Sequence, residues 1–261
     1  MNFSVNGPKI YFKIPIFGGI NITQTTVTLF AVTIILITAS FFITRKLTKR
    51  PGRFQVIVEK LISMLYGLVE DTMGKHNMKF APYIGTLFLS SIFGTLIGMT
   101  QIFRSATADL SVTAAWALVT SVMVWYNNIK NFGLKTWLKG FTEPIVVMTP
   151  MNIVSEIAQP VAMAFRHFGN VAGGSVLTSL IYAALGALTN FVFCWLPDFI
   201  LVNLPPVFQV GIPAFLSVYF DLFSGFVQAL VFSLLTMVYV GAACPPPEEL
   251  PKNMPAEKEA E

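Results

Sequence analysis

The sequence predicts an all-α polytopic membrane protein, and three observations support that prediction. First, 54% of the 261 residues are hydrophobic and only 11% are charged, whereas soluble domains carry roughly 25% charged residues. Second, several apolar stretches reach the ~20 residues that a helix needs to cross a bilayer. Third, basic residues cluster beside the apolar stretches, which is the pattern that sets orientation in a membrane. We therefore assign the net charge of +4 to membrane orientation and expect no binding to nucleic acid.

The first apolar stretch, residues 25–44, is long enough to form an N-terminal transmembrane helix. The basic run RKLTKRPGR follows it and predicts a cytoplasmic loop, with the N-terminus outside. In residues 54–73, apolar side chains recur at helical spacing and charged side chains interrupt them. We expect this segment to form an amphipathic helix on the cytoplasmic surface of the membrane.

Two further apolar stretches, residues 81–103 and 112–129, predict a transmembrane hairpin that returns the chain to a second basic loop at Lys130, Lys135 and Lys139. Two spans bring the chain back to the side from which it started, so the charge distribution agrees with this count. The hairpin therefore begins and ends in the cytoplasm.

The last two apolar segments, residues 152–194 and 212–243, are both longer than a span requires. Two short helices or one long tilted helix would account for the length of the first segment. We favour one helix because no cluster of turn-forming residues interrupts the segment. An outer loop is expected at residues 195–211. We treat residues 1–244 as a single membrane domain, followed by a flexible cytoplasmic tail at 245–261 whose charged, proline-containing composition favours disorder.

The sequence does not indicate a catalytic site for covalent chemistry. It lacks a phosphate-binding glycine loop, and its two histidines and two cysteines form no metal-ligand spacing. We predict neither a cofactor nor a metal site.

Arg166 is the main candidate for function, because it is the only permanently charged side chain between residues 157 and 197. A charge within a membrane span costs ~3 kcal/mol or more. Asn170 follows at i+4 and shares its helical face. Further polar candidates lie on the same two overlong segments: Glu156, Ser175, Asp221 and Gln228.

The rise per residue of a helix gives the relative depth of these candidates in the membrane. If Arg166 and Gln228 lie at one level, the helical rise places Ser175 ~13 Å and Asp221 ~10 Å toward the outside. The same rise places Glu156 ~15 Å toward the cytoplasm. Two antiparallel polar stripes of this kind can enclose a hydrated path.

Three segments resemble subunit a of F-type ATP synthases, the membrane stator subunit beside the rotating c-ring. AFRHFGNVAGG is similar to the family's RLFGN signature, TADLSVTAAWAL (Thr107–Leu118) to its TADLN-type segment, and VQALVFSLLTMVYV (Val227–Val240) to its QAFVF-type final helix. Their order and spacing also match, so the resemblance covers residues 20 to 244.

The resemblance implies a function and a set of partners. The chain would be the ion-translocating stator subunit of a rotary ATP synthase, with the proton as the expected ion, and not an enzyme on its own. Its two long tilted helices would pack against the c-ring, and the b-subunit peripheral stalk, other synthase subunits and the lipid bilayer would be its further partners. A bacterial plasma membrane is the implied location, with the C-terminus cytoplasmic.

The resemblance also implies roles for particular residues. Arg166 matches the essential arginine that faces the c-ring carboxylate and separates two offset half-channels. Asn170, Gln228 and Asp109 match residues of the three motifs, and Asp221 falls where many members carry a titratable residue. The chain departs from the pattern at two positions: His167 replaces the usual leucine, and Ser175 replaces a common glutamate.

Other interpretations remain open at this stage. A solute transporter or permease is the alternative function, and a repeat or discontinuous helices would indicate it. Structural roles compete with the channel roles: Asp109 as a span terminus, Glu156 as an interfacial residue, His167 as a packing residue, and Asn170, Ser175 and Gln228 as hydrogen-bonding residues between helices. For Asp221 the structural alternatives are to cap a helix or to pair with Arg166. The sequence does not identify the coupling ion or the direction of operation.

Overall fold

The computed structural model describes residues 10–14, 20–45, 47–49, 51–99, 105–143, 145–192 and 218–247. Within these ranges the side chains of a few residues are not described, and Asp221 is one of them. The expected outer loop at 195–211 lies outside the described residues, as do residues 248–261 of the expected tail.

Apart from one short hairpin, the regular elements of the described chain are helices. The helices, in chain order, are α1 (Gln24–Arg45), α2 (Arg53–Met73), α3 (Ala81–Met99), α4 (Leu110–Phe132), α5 (Leu134–Gly140), α6 (Thr149–Val192) and α7 (Gly225–Ala243). Short 3₁₀ turns precede α3, α4 and α6, and a π-helical segment, Val218–Ser224, leads into α7. Five helical segments are long and apolar enough to cross a membrane, which agrees with a polytopic all-α membrane protein.

The β-hairpin was not expected from the sequence. Strands β1 (Ile10–Ile14) and β2 (Ile20–Thr23) pair antiparallel, with Phe12 opposite Ile22 and Ile14 opposite Ile20. Helix α1 begins directly after the second strand. The hairpin therefore sits at the start of the first spanning helix.

Helix α6 is continuous over 44 residues. It includes Pro160, which lacks the N–H of a helical hydrogen bond. Of the two arrangements that the sequence left open for this segment, the structure has the single helix. Its expected tilt in the membrane stays a prediction.

Two glycines end helices on the expected cytoplasmic side. Gly74 and Gly133 have φ values of 80° and 81°, and their amides donate to the carbonyls of Glu70 and Ile129 at 2.9 and 3.0 Å. Glycine adopts this left-handed conformation without the steric cost that a Cβ brings. These residues therefore close α2 and α4.

The chain divides into two compact units. The first comprises Met1–Leu47, Leu87–Ala114 and Met163–Phe232, and the second comprises Thr48–Thr86, Ala115–Ala162 and Ser233–Glu261. Each unit contains parts of several helices.

An apolar cluster forms the core of the second unit. Its buried members are Val69, Met73, Ala81, Ile84, Val124, Met237, Val240 and Ala243. Helix α2 contributes only Val69 and Met73 to the buried residues, while Phe54, Leu61 and Met64 on the same helix are exposed. An amphipathic helix with an uncovered apolar part agrees with the expected surface helix, whose position on the membrane stays a prediction.

Polar side chains hold the end of α7 in this unit. Asn77 Nδ2 donates to the carbonyl of Cys244 at 2.8 Å, His76 Nε2 lies 2.9 Å from the same oxygen, and Asn131 Nδ2 donates to the carbonyl of Ala243 at 2.8 Å. The last carbonyls of a helix have no partner within the helix, so these side chains satisfy them. Cys244 is a free thiol whose pKa is raised, chiefly by burial.

Candidate functional site

Arg166 lies on an exposed face of α6. It forms no hydrogen bond and no ion pair with any other side chain that the structure describes. Phe165 beside it is also exposed, at 53%. The charge predicted to carry the function is therefore directed away from the chain's own packed interior.

Asn170 and Gln228 meet between α6 and α7 in the first unit. The Nδ2 atom of Asn170 donates to Oε1 of Gln228 at 2.5 Å. Gln228 is only 3% exposed, and its Nε2 atom is buried without a hydrogen-bond partner among the described residues. Because Asn170 is four residues after Arg166, this amide pair lies one helical turn from the guanidinium-bearing residue.

His167 is fully buried, although its neighbour Arg166 is exposed. Its Nε2 atom lies 3.2 Å from the hydroxyl of Ser91 on α3, and its ring meets the edge of Phe232 on α7 at a centroid distance of 5.3 Å. This environment matches the packing role weighed for His167 and adds a polar contact to α3.

Asp109 occupies the N-cap position of α4. Its Oδ1 atom accepts from the amide of Ser111 at 3.0 Å, which is the usual capping contact. Its Oδ2 atom accepts from the hydroxyl of Thr25 on α1 at 2.6 Å. Both carboxylate oxygens thus join elements of the fold, which favours the structural interpretation of this residue.

The remaining predicted site residues are dispersed. Ser175 is exposed and its hydroxyl donates to the carbonyl of Ala172 in its own helix at 2.7 Å. Glu156 belongs to the second unit, where the indole Nε1 of Trp125 donates to its Oε1 atom. Asp221 lies in the π-helical segment before α7, and its side chain is outside the described residues.

Close contact between α3 and α7 is a feature that the sequence did not indicate. A Cβ atom at Gly225 would lie 2.6 Å from Cγ2 of Thr95, and Phe88 and Phe226 meet edge to face at 5.9 Å. The hydroxyl of Thr95 is itself bonded to Thr107 at 2.9 Å. The glycine could be read from the sequence, but its neighbour on α3 could not.

These features define the class of the protein before any comparison. The part of the chain that the structure describes has five helices of spanning length, and one of them carries an arginine with no partner among the described side chains. The described residues include no cluster of three or more potential metal ligands. This is a multi-pass helical membrane protein.

Comparison with known proteins identifies the family. The family model described as ATP synthase A chain matches residues 25–241. The chain is 33% identical over 225 residues to ATP synthase subunit a 1 of Crocosphaera subtropica, covering 85% of this chain and 87% of that protein. It is 30% identical over 267 residues to the sodium ion specific ATP synthase subunit a of Propionigenium modestum, covering 90% and 84%.

The chain therefore belongs to the ATP synthase A chain family. It is an ion-translocating subunit of the membrane sector of the rotary ATP synthase and a non-catalytic part of that complex. The family predicted from the three sequence motifs is confirmed. The transporter alternative is not needed to explain any described feature.

Proposed function

We propose that Arg166 is the fixed positive charge that faces the ion-binding carboxylate of each passing c-subunit and separates two offset half-channels. The observation that carries this proposal is the exposure of Arg166 together with its lack of a partner among the described side chains. A guanidinium stays protonated in proteins. Its counter-charge must therefore arrive on another chain.

The surface of α6 around Arg166 supports a partner of this kind. An added Cβ at Gly169 or Gly173 would meet nothing within 4 Å, and small residues on membrane helices allow a second helix to approach closely. Phe165 and Val176 are exposed on the same helix. This uncovered surface suits the c-ring, whose helices would cover it in turn as the ring rotates.

The arginine has two consequences for the ions. It lowers the free energy of an ionised c-ring carboxylate nearby, so the carboxylate releases its ion at this position. It also repels a cation that would cross directly between the half-channels. One charge crossing the membrane is worth ~2.3 kcal/mol per 100 mV, and a direct leak would dissipate that free energy without rotation.

The outer half-channel is proposed to include Ser175, Asn170, Gln228 and Asp221, and the inner one Glu156. The hydrogen bond between Asn170 and the buried Gln228 is suited to fix polar groups beside the arginine. Asp221 rests on its sequence position alone. Asp109 is proposed to support the outer route by joining α1 to the start of α4.

The orientation and remaining partners follow from the charge pattern and the family. We place the N-terminus outside and the C-terminus in the cytoplasm of a bacterial plasma membrane, because the basic loops then lie inside. The c-ring and the b-subunit peripheral stalk are the proposed direct partners. The proton is the proposed ion, and the c-ring site, which is on another chain, selects between proton and sodium.

Replacing Arg166 tests the proposal. Arg166→Ala should abolish ATP-driven ion pumping in membrane vesicles while the complex still assembles, because no fixed charge remains to discharge the ring. Arg166→Lys keeps the charge but loses the planar guanidinium, and it serves as the charge-matched comparison. Coupled pumping at the wild-type rate by assembled Arg166→Ala complexes would refute the mechanism.

A further inference from the structure

A hydrogen bond in the second unit joins α4 to α6. The indole Nε1 of Trp125 donates a hydrogen bond to Oε1 of Glu156, and both side chains are partly buried. Glu156 lies ten residues before Arg166 on the same continuous helix. Trp125 lies in the last two turns of α4, toward the basic loop.

Glu156 differs from Glu70 and Glu143, two carboxylates of the same unit that form ion pairs. Glu70 pairs with Lys75 at 3.3 Å and Glu143 pairs with Lys139 at 3.7 Å. Glu156 forms no ion pair with a described residue, and it belongs to a helix of spanning length. A neutral donor orients this carboxylate without adding a positive charge that would hold it permanently ionised.

The indole suits this task because of its chemistry. Its N–H is a donor only and does not take up a proton from a carboxylic acid. Trp125 can therefore fix the direction of one oxygen of Glu156 and leave the other oxygen available. The other oxygen has no hydrogen bond to a described residue.

We propose that Trp125 is a positioning residue that holds Glu156 as the exit carboxylate on the cytoplasmic side. This rests on the proposed function of the chain. A proton released from a c-ring carboxylic acid binds the Glu156 carboxylate and is then transferred to cytoplasmic water, which restores the carboxylate. Trp125 keeps its own proton throughout and sets the geometry in which Glu156 receives one.

The competing explanation is that the contact only anchors α4 to α6. Glu156→Gln separates the two explanations, because its amide oxygen still accepts from the indole N–H but its side chain cannot carry a proton. Trp125→Phe removes the donor and keeps an aromatic ring. Glu143→Gln is the matched control, since it neutralises an exposed glutamate on the same unit.

The experiment measures passive proton flux through the membrane sector of the whole complex in vesicles after the catalytic sector is stripped, with sodium flux measured in parallel. Flux is expressed per assembled complex, a quantity that an anchoring role alone would leave unchanged. We expect Trp125→Phe to lower the flux about tenfold, the scale of one hydrogen bond to a charged group. Glu156→Gln should lower it further, and Glu143→Gln should leave it unchanged.

A double variant tests whether the two residues act as one. Trp125→Phe should have no added effect in the Glu156→Gln background, because the flux-carrying carboxylate is already absent. Wild-type flux in Glu156→Gln overturns the inference, and so does an equal effect of Trp125→Phe in both backgrounds. If the Trp125→Phe complex does not assemble, the proton flux through the Glu156→Gln complex, which keeps its tryptophan, still tests the inference. Loss of pumping in Arg166→Ala beside normal flux in Glu156→Gln refutes this inference and leaves the proposed role of Arg166 standing.

Discussion

Gly225 offers a sharp test of how α7 packs against α3. It is the first residue of α7, and an added Cβ would lie 2.6 Å from Cγ2 and 3.4 Å from Cβ of Thr95. Thr95 is 4% exposed and its hydroxyl is bonded at 2.9 Å to both the carbonyl of Ser91 and the hydroxyl of Thr107. The threonine therefore has little freedom to move aside.

Gly225→Ala should destabilise the protein by ~1–3 kcal/mol, the usual cost of adding one carbon atom to a packed site. Helix propensity works in the opposite direction, because alanine is favoured over glycine by about 1 kcal/mol in a helix interior. Gly67→Ala on α2 isolates that second effect, since nothing lies within 4 Å of its added Cβ. We expect the two substitutions to change stability with opposite signs.

Thr95→Ser is the rescuing substitution. It removes Cγ2, the atom that the new Cβ would meet, and it keeps the hydroxyl that bonds Ser91 and Thr107. The assay is the temperature at which the purified complex loses this subunit, measured for both single variants and the double variant. A Gly225→Ala complex as stable as Gly67→Ala would refute the packing argument, and so would a double variant no more stable than Gly225→Ala.

Two further predictions concern polar contacts of the first unit. Asp109→Ala should lower the stability of the complex by ~0.5–2 kcal/mol through loss of the α4 cap. Asp109→Asn should retain most of that stability, because its amide oxygen can accept from Ser111 or Thr25. Equal loss of stability in both variants, measured in the same thermal assay, would indicate that the charge matters and not the cap. His167→Leu should lose the hydrogen bond to Ser91, worth ~0.6 kcal/mol between membrane helices, together with the edge contact to Phe232, and should keep pumping. Ser91→Ala should then have no effect in the His167→Leu background, and an undiminished effect there would show that Ser91 acts through another partner.

The positions of the spanning helices were predictable because their signal is local. A run of apolar residues long enough to cross a bilayer marks a helix without reference to the rest of the chain, and α6 follows its apolar run over 44 residues. The hairpin at Ile10–Thr23 was missed because its strands are only five and four residues long. Short apolar runs do not distinguish a strand from other structure by periodicity.

The site was less predictable, because its contacts depend on how the helices are rotated. The sequence placed Asn170 and Gln228 on the right helices, yet only the structure joins their side chains. Nothing in the sequence indicated that Trp125 would be the partner of Glu156, because 31 residues separate the two. Spacing along one helix defines a face, but it does not say which neighbouring helix that face meets.

The rotation of α6 explains why its arginine has no partner among the described side chains. Successive residues on a helix point about 100° apart, so burying His167 against Ser91 and Phe232 turns Arg166 out of the packed interior. An unpaired charge in a bilayer costs ~3 kcal/mol or more, and the chain's own packing does not relieve it. That cost is offset when a carboxylate on another chain lies opposite the guanidinium. The buried histidine holds the arginine outward whether or not a carboxylate is present. In the proposed mechanism, successive carboxylates would therefore meet the same charge in the same place, as a rotating partner requires.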